Sequence, residues 1–382
     1  NVDWLDVAVD VNTNILSVTK NTTILTDGQH RAEVSLSSVT NGLAQMTTIN
    51  VGYHQSSNAA STVDLIDFDL SAVESITFDP TRPLIYLAST DKITTHHLFT
   101  GTVEDTITTP ITFSNLAISP SGEYLLASAI IEVEGENELQ VYKLNLNTQA
   151  LTQLTLPTVN PITYRPHFIA NVNGEEVIIT EAQEYATSDL TRHYWQRDEE
   201  FFISTIQQAA NTNSVTLLRN ESPSNLPTES TIYTFDVAYN EFAENKISVD
   251  APYKFTSTTY QDAAPKYFDI SNAGTVIHTA QSQSETVDFD GTNFVENGVL
   301  HAVDLTTTID VKLDSQNNSY YYRARLNNDP IYSLTKYNSD LNESWVLDID
   351  NASGSSFILA NFHRFVTLNQ ETNTWFVTSF PE

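Results

Sequence analysis

Residues 114–128 read SNLAISPSGEYLLAS. Leu116 and Ile118 alternate with Ala117 and Ser119, the period of a strand with one face on a core. Pro120-Ser121-Gly122 follows, and the chain must turn there, because proline fixes φ and glycine accepts a positive one. Tyr124-Leu125-Leu126-Ala127 is then a second strand, buried on both faces. The phrase is a hairpin, and its recurrence decides the fold.

It returns at 75–89 as SITFDPTRPLIYLAS, with Pro80 in the place of Pro120. Residues 168–180 (FIANVNGEEVIIT) turn at Asn173-Gly174, and 268–280 (FDISNAGTVIHTA) turn at Asn272-Ala273-Gly274. Looser copies lie at 4–19, 202–218, 322–335 and 365–379. Most copies are followed by a further pair of strand-like runs, such as Leu139–Leu146, Tyr233–Val237, Gly298–Leu305 and Ser344–Ile349. The unit is therefore four strands over roughly 40–55 residues, the period of a propeller blade. A single such sheet cannot cover both its faces, whereas packing in a ring does.

The expected fold is all-β: one β-propeller over 1–382, of seven blades, with an eighth open through a candidate at 43–70. Trp4–Val9 opens the chain as a strand, and the last copy shows two strands. The N- and C-terminal strands are therefore expected to share a blade and close the ring. The rival architecture is a pair of β-sandwiches.

SNLAISPSGEYLLAS and SITFDPTRPLIYLAS resemble the inner hairpins of lactonase-like and YVTN-type bacterial propellers and of TolB-type WD40-like repeats. The resemblance implies the propeller. It carries over no catalytic residues, because no family's catalytic set maps onto this chain.

The totals bound function. There are 48 acidic residues against 17 basic ones, a net charge of −31. Such a surface repels phosphate backbones, which argues against nucleic-acid partners. It suits salty surroundings, where screening shortens the range of self-repulsion. Cysteine is absent, so disulfides and thiolate metal sites are excluded. No apolar run is long enough for a membrane helix. Scarce sulfur and lysine, abundant Thr, Asn and Ser, and a start at Asn1 lead to the expectation of an exported protein, extracellular or periplasmic, with its signal peptide removed.

In a propeller, ligands meet the rim formed by the loops that enter each blade's first strand and the loops that join its second and third strands. Four basic sites are read as preceding first strands: Tyr164-Arg165-Pro166-His167, Lys266, Ser319–Arg323 and His363-Arg364. Gathered at one mouth, Arg165, Lys266, Arg323 and Arg364 make a positive spot for a carboxylate or sulfate. The competing reading pairs each with a local acid. Residues 181–200 are read as a long insertion between second and third strands, carrying Arg192, His193, Tyr194, Trp195 and Arg197. Its rings and guanidiniums suit a sugar or a partner chain, and an aromatic plug sealing the channel stays open beside that.

His96 and His97 are neighbours in a strand and point to opposite faces, so they cannot share a metal there. Asp288, Asp290 and Asn293 alternate oxygen ligands as a calcium (Ca2+) loop does, but without its closing Glu. Nucleophile-elbow, zinc-protease and phosphate-loop motifs are absent. The expected function is a binding scaffold for a protein or an extracellular glycan, with no cofactor. The runner-up is a lyase of acidic glycans using His167, Tyr164, Arg165, His193 and Arg323. A self-assembling surface subunit is the third reading.

Overall fold

The computed structural model describes residues 2–12, 15–21, 23–26, 28–40, 43–55, 62–67, 73–154, 168–172, 175–179, 183–186, 193–196, 203–208, 214–220, 229–236, 253–256, 267–270, 275–279, 283–289, 294–301, 306–314, 318–325, 331–340, 342–372 and 374–381. Between 155 and 308 the strands are described through their backbone pairing, with side chains at Glu176 and Asp269. Among the described residues every regular element is a β-strand, apart from one 3-10 turn at Ala360–Phe362.

The chain opens with two hairpins, β1 (Leu5–Asp10) with β2 (Ile15–Lys20), and β3 (Gly28–Thr40) with β4 (Leu43–Gln55). β5 (Thr62–Asp67) follows. Sheet I is β6 (Ser75–Phe78), β7 (Leu84–Ser89), β8 (Lys92–His97) and β9 (Val103–Thr108). Sheet II is β10 (Asn115–Ile118), β11 (Tyr124–Val133), β12 (Glu136–Asn145) and β13 (Leu151–Leu154). Sheet III is β14 (Phe168–Val172), β15 (Glu175–Ile179), β16 (Gln183–Ala186) and β17 (His193–Gln196). Sheet IV is β18 (Ile203–Gln208), β19 (Ser214–Asn220), β20 (Glu229–Asp236) and β21 (Tyr253–Thr256). Sheet V is β22 (Tyr267–Ile270), β23 (Thr275–Thr279), β24 (Gln283–Phe289) and β25 (Phe294–His301). Sheet VI is β26 (Thr306–Leu313), β27 (Ser319–Arg325), β28 (Ile331–Tyr337) and β29 (Glu343–Ile349). Sheet VII is β30 (Ala352–Leu359), β31 (Arg364–Asn369), β32 (Thr374–Ser379) and, as its fourth strand, β5. All neighbours within a sheet are antiparallel, and the first strands of successive sheets from I to VII lie side by side.

The core explains the doubly apolar second strands. In LIYLAS, Tyr86 and Ala88 join Phe113, Leu125, Ala127 and Tyr142 between sheets I and II. Ile85 and Leu87 point the other way, onto Val366, Leu368, Trp375 and Val377 of sheet VII. In sheet VI, Tyr320 and Tyr322 pack with Phe365 and Phe380 of sheet VII, while Tyr321 packs with Val311 and Leu313. Burying each such side chain contributes about 1.5–3 kcal/mol.

Three expectations are corrected. The strand shared between the two ends of the chain is β5, with Val63 opposite Val377, and the 4–19 hairpin stands outside the four-stranded sheets. Residues 181–200 are not a loop insertion. They hold β16 and β17, with Glu184 opposite Trp195 and Tyr185 opposite His193. The copies at 322–335 and 365–379 are the second and third strands of their sheets, so Ser319–Arg323 lies within β27 and not ahead of a first strand.

Candidate functional site

In a four-stranded antiparallel sheet, the turns after the first and third strands share one rim, and the other connections share the opposite rim. The first-turn rim is built by one device used three times. A short polar residue ends the first strand and accepts the turn's N–H groups. In sheet I, Asp79 Oδ1 accepts Thr81 N at 2.9 Å and Arg82 N at 2.8 Å, and Oδ2 accepts Arg82 Nε at 2.7 Å. In sheet II, Ser119 Oγ accepts Glu123 N at 3.1 Å and Tyr124 N at 3.2 Å. In sheet VI, Asp314 Oδ1 accepts Asn318 N at 2.9 Å, and Oδ2 accepts Tyr320 OH at 2.9 Å. Gly122, at φ 67, leaves room for Asp79 and Arg82 beside it.

The turns are laced from sheet to sheet. Arg82 Nη2 donates to Gly122 O at 2.5 Å, and Ser121 N donates to Glu176 Oε1 at 2.5 Å. Burial works against the Arg82 charge, but Asp79 outweighs it and the guanidinium's pKa is raised. Between sheets V and VI, Lys312 Nζ donates to Asp269 Oδ1 at 3.3 Å, and Leu313 N donates to Asp269 Oδ2 at 2.7 Å. These groups hold the sheets together and are consumed by one another.

Sheets VI, VII and I meet differently on the same rim. His363, at φ 53, closes the turn between β30 and β31, and its ring stacks on Phe380 at 6.0 Å. Phe380 stacks on Tyr320 at 5.0 Å, and Trp345 lies 5.6 Å from Phe380. Lys336 sits over the Tyr320 ring at 5.5 Å, and Arg364 over Phe99 of sheet I at 4.6 Å. Arg364 Nη1 donates to His363 O at 3.0 Å. Burial first, then the positive charge of Lys336, holds the His363 imidazole below its usual pKa. It is therefore neutral near pH 7. Among the described residues, neither Lys336 nor Arg364 forms an ion pair. Lys336 and Arg364 both act on His363, and Asp314, which accepts the Tyr320 hydroxyl at 2.9 Å, opposes them.

Of the sequence-predicted residues, His363 and Arg364 come together here, at a first-to-second-strand turn on the rim opposite the one expected. Arg323 does not join them. Its guanidinium lies over Tyr321 at 4.5 Å and bonds Tyr337 OH at 3.0 Å, on the other face of β27. Tyr164, Arg165, His167, Arg192, Lys266, Asp290 and Asn293 lie outside the described residues, and so does any calcium loop they complete. His193, Tyr194, Trp195 and Asp288 are placed by backbone only. His96 and His97 are buried in β8, which lowers both pKa values. Lys336 and its rings escaped the sequence reading. The available signal was the alternation of YSLTKY, which puts Lys336 opposite Trp345.

The sequence matches no protein-family model and no curated protein. Solved structures do match. The WD40 repeats of RRP9 align over 84% of this chain and 98% of theirs, with a TM-score of 0.56 at 8% identity. U3-55K aligns over 84% of this chain and 98% of its own, with a TM-score of 0.55 at 8% identity. The fold is that of a WD40-like β-propeller. Raptor from Chaetomium thermophilum aligns over 85% of this chain with a TM-score of 0.54 at 8% identity, and the chain spans 29% of that protein. Among the described residues, no helix is long and apolar enough to cross a membrane.

Proposed function

We propose that the protein is a ring of seven four-stranded blades, closed through β5 and β32, that serves as a protein-docking scaffold. The docking point is the spot where blades VI, VII and I meet. Lys336 and Arg364 carry the reading, because they are cations lying on aromatic rings and, among the described residues, form no ion pair. A carboxylate arriving there meets positive charge already stripped of part of its water, with Trp345 and Phe380 beside it to cover an apolar neighbour. The neutral His363 supplies a further hydrogen-bonding group without adding repulsion. WD40 propellers as solved structures support the architecture. The cysteine-free acidic composition supports a partner met outside the cell, and following a tagged copy through cell fractionation tests that location.

The docking test is fluorescence anisotropy with a labelled peptide of Glu-Trp repeats. Lys336→Gln is expected to weaken binding about three- to tenfold, the size of one partly exposed charge contact. A Lys-Trp peptide is expected not to bind at this spot. Equal binding of the Glu-Trp peptide to the parent chain and to Lys336→Gln would remove the proposed site.

A further inference from the structure

The hairpin of β1 and β2 carries an apolar face that nothing described in the structure covers. Its register sets Val7 directly opposite Val18 and Val9 opposite Leu16. Alternation then gathers Leu5, Val7 and Val9 with Leu16 and Val18 on one face, and Asp6, Asp10, Ser17 and Thr19 on the other. Val7 is 44% exposed, Val9 58% and Val18 38%. Single exposed valines are ordinary, but a contiguous set on one face of a ribbon is not. A two-stranded ribbon is also marginal in water until something packs on it.

The described side-chain contacts between the ribbon and the next hairpin lie at one end. Lys20 Nζ donates to Tyr53 OH at 2.7 Å and lies over that ring at 4.0 Å, while Trp4 meets His30 at 5.8 Å. These contacts fix the end at Leu5 and Lys20. Among the described residues, neither outer edge of the ribbon pairs with another strand.

Charge selects the occupant. Asp6 and Asp10 lie on the ribbon's other face, and the ribbon's one lysine is committed to Tyr53. The body behind it carries a net −31. A second copy would bring the same negative field against itself, whereas a basic strand is drawn in. We propose that this face receives an extended polypeptide segment of a partner protein in which apolar residues alternate with Lys or Arg. Paired along an outer edge of the ribbon, the segment sets its apolar side chains beside the valine face and its basic side chains on the face of Asp6 and Asp10.

The test uses the full chain and labelled eight-residue peptides, read by anisotropy. An alternating Val-Lys peptide is expected to bind at least about tenfold tighter than alternating Val-Glu or Ser-Lys peptides, and high salt is expected to weaken it. The double variant V7T/V9T keeps side-chain shape and strand preference, and is expected to lose most of that binding while its melting curve is unchanged. Lys336→Gln, at the separate rim spot, is expected to leave Val-Lys binding intact. Equal binding of Ser-Lys or Val-Glu, or binding unmoved by V7T/V9T, overturns the proposal. So does a concentration-dependent dimer in sedimentation that V7T/V9T abolishes, because the face would then belong to a second copy.

Discussion

Asp310 is the carboxylate whose removal is expected to help the fold. It lies where sheets VI and VII meet, taking N–H groups from Val311 at 2.8 Å and from Ile358. Burial is the main reason its pKa rises from 3.8 to about 6; Lys312 opposes the rise and Asp269 adds to it. A folded value above the unfolded one means that the native state holds the proton more tightly. The charged form is therefore a burden that is full above pH 6, shrinks as pH falls through that value, and is gone below the unfolded pKa. The displacement amounts to about 3 kcal/mol at about 1.4 kcal/mol per unit. Asp310→Asn keeps an oxygen for the two N–H groups and removes the charge. The rise is already net of the Lys312 attraction and of the two N–H bonds, so the gain near pH 8 is expected to approach about 3 kcal/mol. Paired urea titrations of parent and variant at about pH 8 and about pH 4.5 measure it, with the advantage shrinking at the lower pH. An Asn variant less stable at the higher pH, or one whose advantage ignores pH, would refute the reasoning.

Two further outcomes are expected. Asp79→Ala removes the carboxylate from the half-buried Arg82 guanidinium and the acceptor for the turn's N–H groups, so a loss of about 2–4 kcal/mol is expected in thermal melts; an unchanged melting temperature contradicts it. At Gly52 of β4, an added Cβ would land inside the Thr81 carbonyl of the first sheet-I turn. Gly52→Ala is therefore expected to lift the hairpin of β3 and β4 and to speed protease cleavage within 28–55, and cleavage at the parent rate shows that the contact is not made.

The blade was legible wherever turn chemistry and strand pattern agreed. Asp79-Pro80 and Pro120-Ser121-Gly122 mark β6–β7 and β10–β11 because proline and glycine impose local geometry that the rest of the fold does not need to supply. Sheets VI and VII were misregistered for the same reason. Asn327-Asn328-Asp329-Pro330 looks like a first turn but joins the second strand to the third. The true first turn of sheet VII is a 3-10 turn ending in His363 in the left-handed region, with neither proline nor glycine to announce it. β16 and β17 span four residues each, too few to show a period. β5 could not be singled out, because Trp4–Val9 has an equally good strand pattern and only tertiary pairing separates them. The rim spot was half legible: His363 and Arg364 stood out as rare basic residues, while Lys336 acts on His363 from the neighbouring sheet, which composition does not reveal.

Pairing of β5 with β32 also sets a timetable for synthesis. On a ribosome, β5 emerges about 300 residues before the strand it must join, a wait of roughly 15–60 s at ordinary elongation speeds. Sheets I to VI can assemble one after another during translation, as each completes its own four strands. The seventh cannot, and until β32 is made β5 has no strand to pair with in its sheet. Through that interval β5 is an edge awaiting its neighbour, the kind of segment prone to pairing with the wrong chain.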